Sequence, residues 1–209
     1  MSKAKLYYVH DPMCSWCWGY KPSWEHIEQV LSHDFESTIE ICYLVGGLAP
    51  DSDEPMPDEM QKQILSYWRK IEDYLGTPFN YDYWSKNTPR RSTYPACRAV
   101  IAAREQGAEK TMVNAIQKAY YQRALNPSDY EVLIQLADEL QLDINQFHHD
   151  IKSEDLNKKL LNEIGFARSI GGNSFPSLFL ERQGKIAELP VDYQDPLKTL
   201  NLLRRYLAV

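Results

Sequence analysis

Residues 11–19 read Asp11-Pro12-Met13-Cys14-Ser15-Trp16-Cys17-Trp18-Gly19, and the placement of these two cysteines decides how the rest of the chain is read. Just before them, Lys5 to His10 is a short run rich in aromatic and β-branched residues, a strand signal closed by the Asp11-Pro12 turn. Just after them, Trp24, Ile27, Val30 and Leu31 recur at helical spacing between Pro22 and His33, where Pro22 is tolerated only in a first turn or at a kink. The pair therefore lies at the entrance of a helix that follows a strand. There, unpaired N–H groups and the positive end of the helix dipole favour a thiolate. Cys14 is expected to be the nucleophile. Cys17, one turn further in, is expected to attack a mixed disulfide formed on Cys14 and release the substrate as a thiol. A zinc half-site is the competing reading, but zinc needs a second ligand pair. Cys42 and Cys97 are isolated and no HxxxH spacing occurs, so no metal site is expected.

Thr38 to Val45 is a second strand with a near-continuous apolar end, closed by Gly46-Gly47, and it completes a βαβ unit whose second strand should be covered on both faces. From Ala49 to Pro57 the composition shifts to Asp, Glu and Pro, the mark of a loop and a domain edge. Helical patterns follow at Glu59 to Leu75, Tyr94 to Glu105 and Thr111 to Leu125. A capping box at Ser128-Asp129-Tyr130-Glu131 precedes a fourth, and Asp143 and Ser153 can cap two more. Phe175 to Leu180 then reads as a strand with proline at its mouth. Gln183-Gly184 is a hairpin turn into Lys185 to Glu188, and Asp195-Pro196 opens a last amphipathic helix. The expected fold class is α/β, with residues 1–48 and 154–209 forming one discontinuous sheet domain and residues 49–153 an all-helical insertion. If the proline-led strand lies antiparallel beside the first strand, it begins where the first one ends, so Pro176 would touch Cys14. The Phe175 backbone could then pair with an extended substrate peptide.

The segment Asp11 to Gly19 resembles the active-site region of the DsbA-like thioredoxin-fold family, in particular its cytoplasmic protein-disulfide isomerase branch, close to the FrnE-like proteins. The order of parts along the whole chain matches as well, and Tyr94-Pro95-Ala96-Cys97-Arg98-Ala99 is similar to a segment of that branch. The resemblance implies a thioredoxin-like fold and a thiol-disulfide oxidoreductase, acting as a disulfide reductase or isomerase, with a cis-proline facing the CxxC at Pro176. It departs from the strongly oxidising periplasmic relatives in having Ser15-Trp16, without histidine, between the cysteines. A less extreme thiol follows, and reduction or isomerisation is the expected task. Two rivals remain. One is the glutathione-dependent class of 2-hydroxychromene-2-carboxylate isomerases and kappa-type transferases, in which serine stands at the position of Cys14. The other is a non-catalytic peptide-binding module.

Around the dithiol, Met13, Trp16 and Phe175 are expected to contact substrate, with Trp16 at the surface and Trp24 in the core. His10 and Asp11 each have two readings, proton transfer at the thiols or a local role, a plain strand-end histidine for His10 and an Asp-Pro turn, the favoured reading, for Asp11. Cys97 is either a third thiol near Cys14 or a buried small hydrophobe, and Cys42 is assigned to the core. Arg90-Arg91 reads as a solvated loop that could also hold an anion such as a glutathione carboxylate. With 209 residues, a net charge of −6 and four cysteines, the chain is sized for one large or two small domains; it is not a disulfide framework. The charge disfavours nucleic acid and anionic membrane as partners. Only four apolar residues, Leu6 to Val9, precede His10, too few for a signal peptide, and no run approaches a membrane span. The expected setting is the cytoplasm and the expected partners are protein or peptide thiols and disulfides. No cofactor is expected beyond glutathione as an optional co-substrate. The oligomeric state is left open, a dimer included.

Overall fold

A computed structural model describes residues 3–207. At its centre is a four-stranded sheet in the order β2-β1-β3-β4, built from β1 (Ala4–His10), β2 (Ile39–Val45), β3 (Ser177–Arg182) and β4 (Lys185–Leu189). β1 pairs parallel with β2 and antiparallel with β3, in a register that sets Val9 opposite Ser177. Alternation along β1 sends Leu6 and Tyr8 to one face and Tyr7 and Val9 to the other. On the first face they pack with Trp24, Ile27 and Leu31 of α1 (Ser15–Asp34) and with Leu200 and Leu203 of α9 (Pro196–Leu207). On the second face Ala167 of α8 (Glu154–Ser169) closes over Tyr7, Val9 and Phe179. Both faces of β1 are thus covered, which is why it reads as a nearly unbroken apolar run. The β3–β4 turn has positive φ at Gln183 and Gly184, 53° and 74°, the backbone that a tight two-residue hairpin requires.

Between β2 and α8 the chain forms α2 (Asp58–Leu75), the short α3 (Tyr83–Lys86), α4 (Tyr94–Arg104), α5 (Glu109–Tyr121), α6 (Tyr130–Glu139) and α7 (Ile144–Asp150). These helices are not an independent bundle. Their core, centred on Trp68, Val100, Met112, Ile116 and Leu136, is continuous with Met13, Trp18 and Val45 of the sheet region and with Leu156, Leu160 and Ile164 of α8. Trp68 stands at its middle, stacked on Phe79 and edge-on to Tyr120 and Tyr121. These helices therefore build a wall directly beside the CxxC.

Three local expectations need correction. α1 begins at Ser15, so Pro22 lies in the helix interior instead of its first turn; burial of Trp18, Tyr20, Trp24 and Ile27 on both sides of it outweighs the backbone bond that a proline forfeits. The Ser128 capping box does not form, because the Ser128 hydroxyl donates to the Ser92 carbonyl (2.7 Å) and Asp129 is the N-cap of α6. Asp143 and Ser153 do cap α7 and α8, accepting from the N–H groups of Gln146 and Leu156. Finally, Cys42, assigned to the core, is only half-buried on the edge strand β2, where it packs against the cluster of Tyr7, Val9 and Phe179.

Candidate active site

Cys14 is the N-cap of α1. Its sulfur accepts from the Cys17 N–H at 3.4 Å, the backbone bond that a thiolate at a helix entrance uses. The thiol of Cys14 also donates to the Phe175 carbonyl at 3.5 Å, across the junction between the ends of β1 and β3. The Phe175–Pro176 peptide bond is cis, and Pro176 is buried at the mouth of β3. Cys14 is 6% exposed and Cys17 is sealed at 0%. Burial, followed by its contact with Cys14, pushes the Cys17 thiol well above its ordinary pKa.

The two sulfurs face different spaces. Cys14 opens on a groove of about 310 Å³ that it shares with Met13, Trp16 and Phe175. The opposite wall is Met56, Met60, Ile64 and Trp68 of the helical segment and the loop before it, and Arg90 and Arg91 stand at one end. Cys17 instead borders a smaller crevice behind α1, with His10 and Lys21. Trp16 is half-buried, its ring edge-on to Tyr193 and beneath the Lys70 ammonium. Arg90 is held by an ion pair with Asp129 (2.5 Å), so Arg91 is the better placed cation for a substrate anion.

Asp11 carries more than its turn. Oδ1 accepts from the Met13 N–H (2.8 Å), the expected turn bond. Oδ2 accepts from the Leu48 N–H (2.7 Å), the Thr93 hydroxyl (2.7 Å) and the Cys97 thiol (3.5 Å). This fully buried carboxylate joins the active-site loop to the start of α4. Burial raises its pKa, and the four donors oppose that shift. Cys97 is accordingly aimed at Asp11; its own thiol is pushed well up by burial and by the Asp11 charge. Tyr121, from α5, donates to the Met13 carbonyl at 2.7 Å and stacks on Trp18, a second clamp on the loop. The sequence pattern points to Asp11 mainly as a turn residue and gives no signal for Tyr121. The Asp-Pro pair could have signalled the loop bond of Asp11, but its partners in α4 lie 82 and 86 residues away.

A strand–CxxC–helix, a cis-proline loop against the first cysteine and a helical segment walling the groove together define a DsbA-like thioredoxin fold. The chain belongs to the thioredoxin family, whose model matches residues 7–199. Among solved structures it is similar to a candidate protein disulfide isomerase from Nitrosomonas europaea, with 27% identity, coverage of 99% of this chain and 98% of that one, and a TM-score of 0.84. It shares the fold of the cytosolic disulfide reductase DsbM from Pseudomonas aeruginosa (24% identity, 98% of both chains, TM-score 0.79), which has also been solved with GSH. Among curated proteins it is similar to the ClpXP adapter protein SpxH of Bacillus subtilis, 25% identical over 178 residues that cover 83% of this chain and 57% of that protein. The chain therefore spans little more than half the length of the curated relatives it matches. Among the described residues, no helix is long and apolar enough to cross a membrane.

Proposed function

We propose that the protein is a cytoplasmic thiol-disulfide oxidoreductase that reduces or isomerises disulfides in peptides and proteins, with glutathione as co-substrate. The observation that carries this reading is the division of labour between the two thiols. Cys14 faces an apolar groove and the Phe175 carbonyl, whereas Cys17 lies sealed one turn behind it within reach of the same sulfur. The Cys14 thiolate attacks one sulfur of the substrate disulfide, forming a Cys14–substrate bond as the other sulfur leaves as a thiolate. The Cys17 thiolate then attacks Cys14, the intramolecular disulfide forms and the second substrate thiolate leaves. Two electrons pass from the dithiol to the substrate, and two glutathione thiols return them. Met13, Trp16, Met56 and Met60 offer flexible apolar contacts to residues beside the substrate cysteine, and Arg91 offers a partner for a carboxylate.

The test is insulin reduction driven by glutathione, run on the wild type, Cys14→Ser and Cys17→Ser. Turnover should vanish in Cys14→Ser, and Cys17→Ser should accumulate a mixed disulfide visible by intact mass. Equal turnover in all three would remove the reading. The SpxH relatives favour a second one, in which the groove docks a protein without chemistry. In that case Cys14→Ser would still bind unfolded polypeptide while the wild type showed no cysteine-dependent turnover. The glutathione-dependent isomerase reading is disfavoured by the presence of both thiols, Cys14 and Cys17.

A further inference from the structure

His10 is 1% exposed, and neither of its ring nitrogens has a hydrogen-bond partner among the described residues. A buried imidazole with both polar atoms unpaired is destabilising unless something else meets them. It is therefore notable that the ring borders a crevice of about 70 Å³, which it shares with Cys17. A water needs roughly 10–15 Å³ of such space and two or more polar partners, so the crevice has room for water. Polar neighbours are present: Lys21, Asn114 and Gln117 line the same space, and Glu25, Glu28 and Lys110 stand at its rim.

The chemistry at Cys17 calls for such a space. Before it attacks the mixed disulfide, this buried thiol must lose a proton. At that moment substrate occupies the groove on the Cys14 side, and the crevice behind is the space that Cys17 itself borders. We infer that the crevice is the proton exit of the resolving thiol, with His10 relaying the proton from Cys17 through bound water to the Glu28–Lys110 rim. The inference rests on the oxidoreductase reading above and adds the route and the residue. The Cys17 S–H bond breaks, one ring nitrogen of His10 takes up the proton as the other releases one toward the rim, and the Cys17 electron pair forms the Cys14–Cys17 bond as the substrate thiolate departs.

The groups facing His10 suit a relay better than a trap. From β1 and β2, Tyr8 stacks on the ring and Tyr43 meets it edge-on. Tyr43 donates to Glu28 of α1 at 2.5 Å, and Lys110 of α5 pairs with the same carboxylate. Lys21 is tied to Asn114 and Glu25. Arg104 of α4, paired with Glu109 and Glu163, still adds a positive field at the ring. Burial first, and that field second, lower the His10 pKa to about 3, so the ring stays neutral at working pH and relays a proton only by taking one up on one nitrogen as the other nitrogen gives one up.

Stopped-flow mixing of the reduced protein with glutathione disulfide, followed by tryptophan fluorescence and quenched mass analysis, resolves attack by Cys14 from resolution by Cys17. Cys17→Ser marks the trace that lacks the second phase. In His10→Ala the second phase should slow by about tenfold or more with the first unchanged, and added imidazole should restore it in the variant but not accelerate the wild type. Val113→Phe, which narrows the crevice from α5 and leaves His10 in place, should slow the same phase even if His10→Ala fails to fold. A second phase at wild-type rate in folded His10→Ala overturns the inference, as does one at wild-type rate in Val113→Phe. Absence of the first phase in the wild type would instead strike the oxidoreductase reading itself.

Discussion

Gly46→Ala should disable the peptide-binding loop while barely touching the fold. A Cβ built on Gly46 would lie 1.9 Å from Cε1 and 2.3 Å from Cζ of Phe175. To restore an ordinary 3.4 Å contact, the near edge of the ring must retreat by 1.5 Å, the difference between 3.4 and 1.9. Gly46 does not have positive φ, so alanine suits its backbone and the whole cost falls on the clash. Phe175 is only partly buried and borders the groove, so its ring can swing outward. The stability loss should therefore sit at the low end of the overpacking range, about 1 kcal/mol, read as a shift in urea midpoint. Function should suffer more, because the displaced ring enters the groove and drags the Phe175 carbonyl from its 3.5 Å position beside Cys14. Misplacement by about 1 Å costs on the order of a hundredfold in a positioned reaction. kcat/KM for a peptide disulfide should thus fall about ten- to a hundredfold, while alkylation of Cys14 by iodoacetamide, which needs no peptide docking, should change less than about twofold. Wild-type kcat/KM in Gly46→Ala would refute the assignment of Phe175 to substrate binding, and parallel losses in both assays would show general damage instead.

Mass-mapped alkylation of the reduced protein should label Cys14 first. Cys17 and Cys97 are sealed, and half-buried Cys42 has its thiol raised by burial and by Glu40; faster labelling of Cys17 would reverse the roles of the pair. The folded His10 pKa of about 3 lies below its ordinary 6.5, so between these values the unfolded chain binds the extra proton. The stability that neutral His10 contributes is therefore whole above pH 6.5 and is lost as pH falls toward 3, with a slope of up to about 1.4 kcal/mol per pH unit. Asp11, whose pKa is raised, tilts stability the opposite way, so the slope should be read as the difference between the wild type and His10→Phe, which keeps Asp11; identical slopes would count against the buried neutral ring. Trp68→Ala, which empties the centre of the aromatic cluster, should cost about 3–5 kcal/mol by urea denaturation, and a loss under about 1 kcal/mol would mean that the helical core tolerates the void.

Much of the chemistry was legible from a few local patterns. Strand, CxxC and helix follow one another within the first 34 residues, and a proline opens the strand that returns beside the first. These features depend on neighbours in sequence: alternation, helical spacing, turn residues, and caps such as Asp143 and Ser153. They sufficed for the fold class. What only the tertiary structure decided is which polar atoms lose their water and what replaces it. Asp11 looks like a turn residue because its bond to Met13 is local. Its burial depends on Leu48, Thr93 and Cys97, brought in by segments whose arrival no local pattern encodes. His10 is an unremarkable strand end until α1 and α5 close over it and leave its ring beside the space behind Cys17. β2 reads as a covered strand because its residues are apolar, and residues on both of its faces do pack into the core, but that it lies at the edge is decided only by β3 returning on the far side of β1. Local hydrogen bonding and side-chain periodicity are short-range and visible in sequence, whereas desolvation is a property of packed neighbours, and it alone set the environments of Asp11, His10 and Cys17.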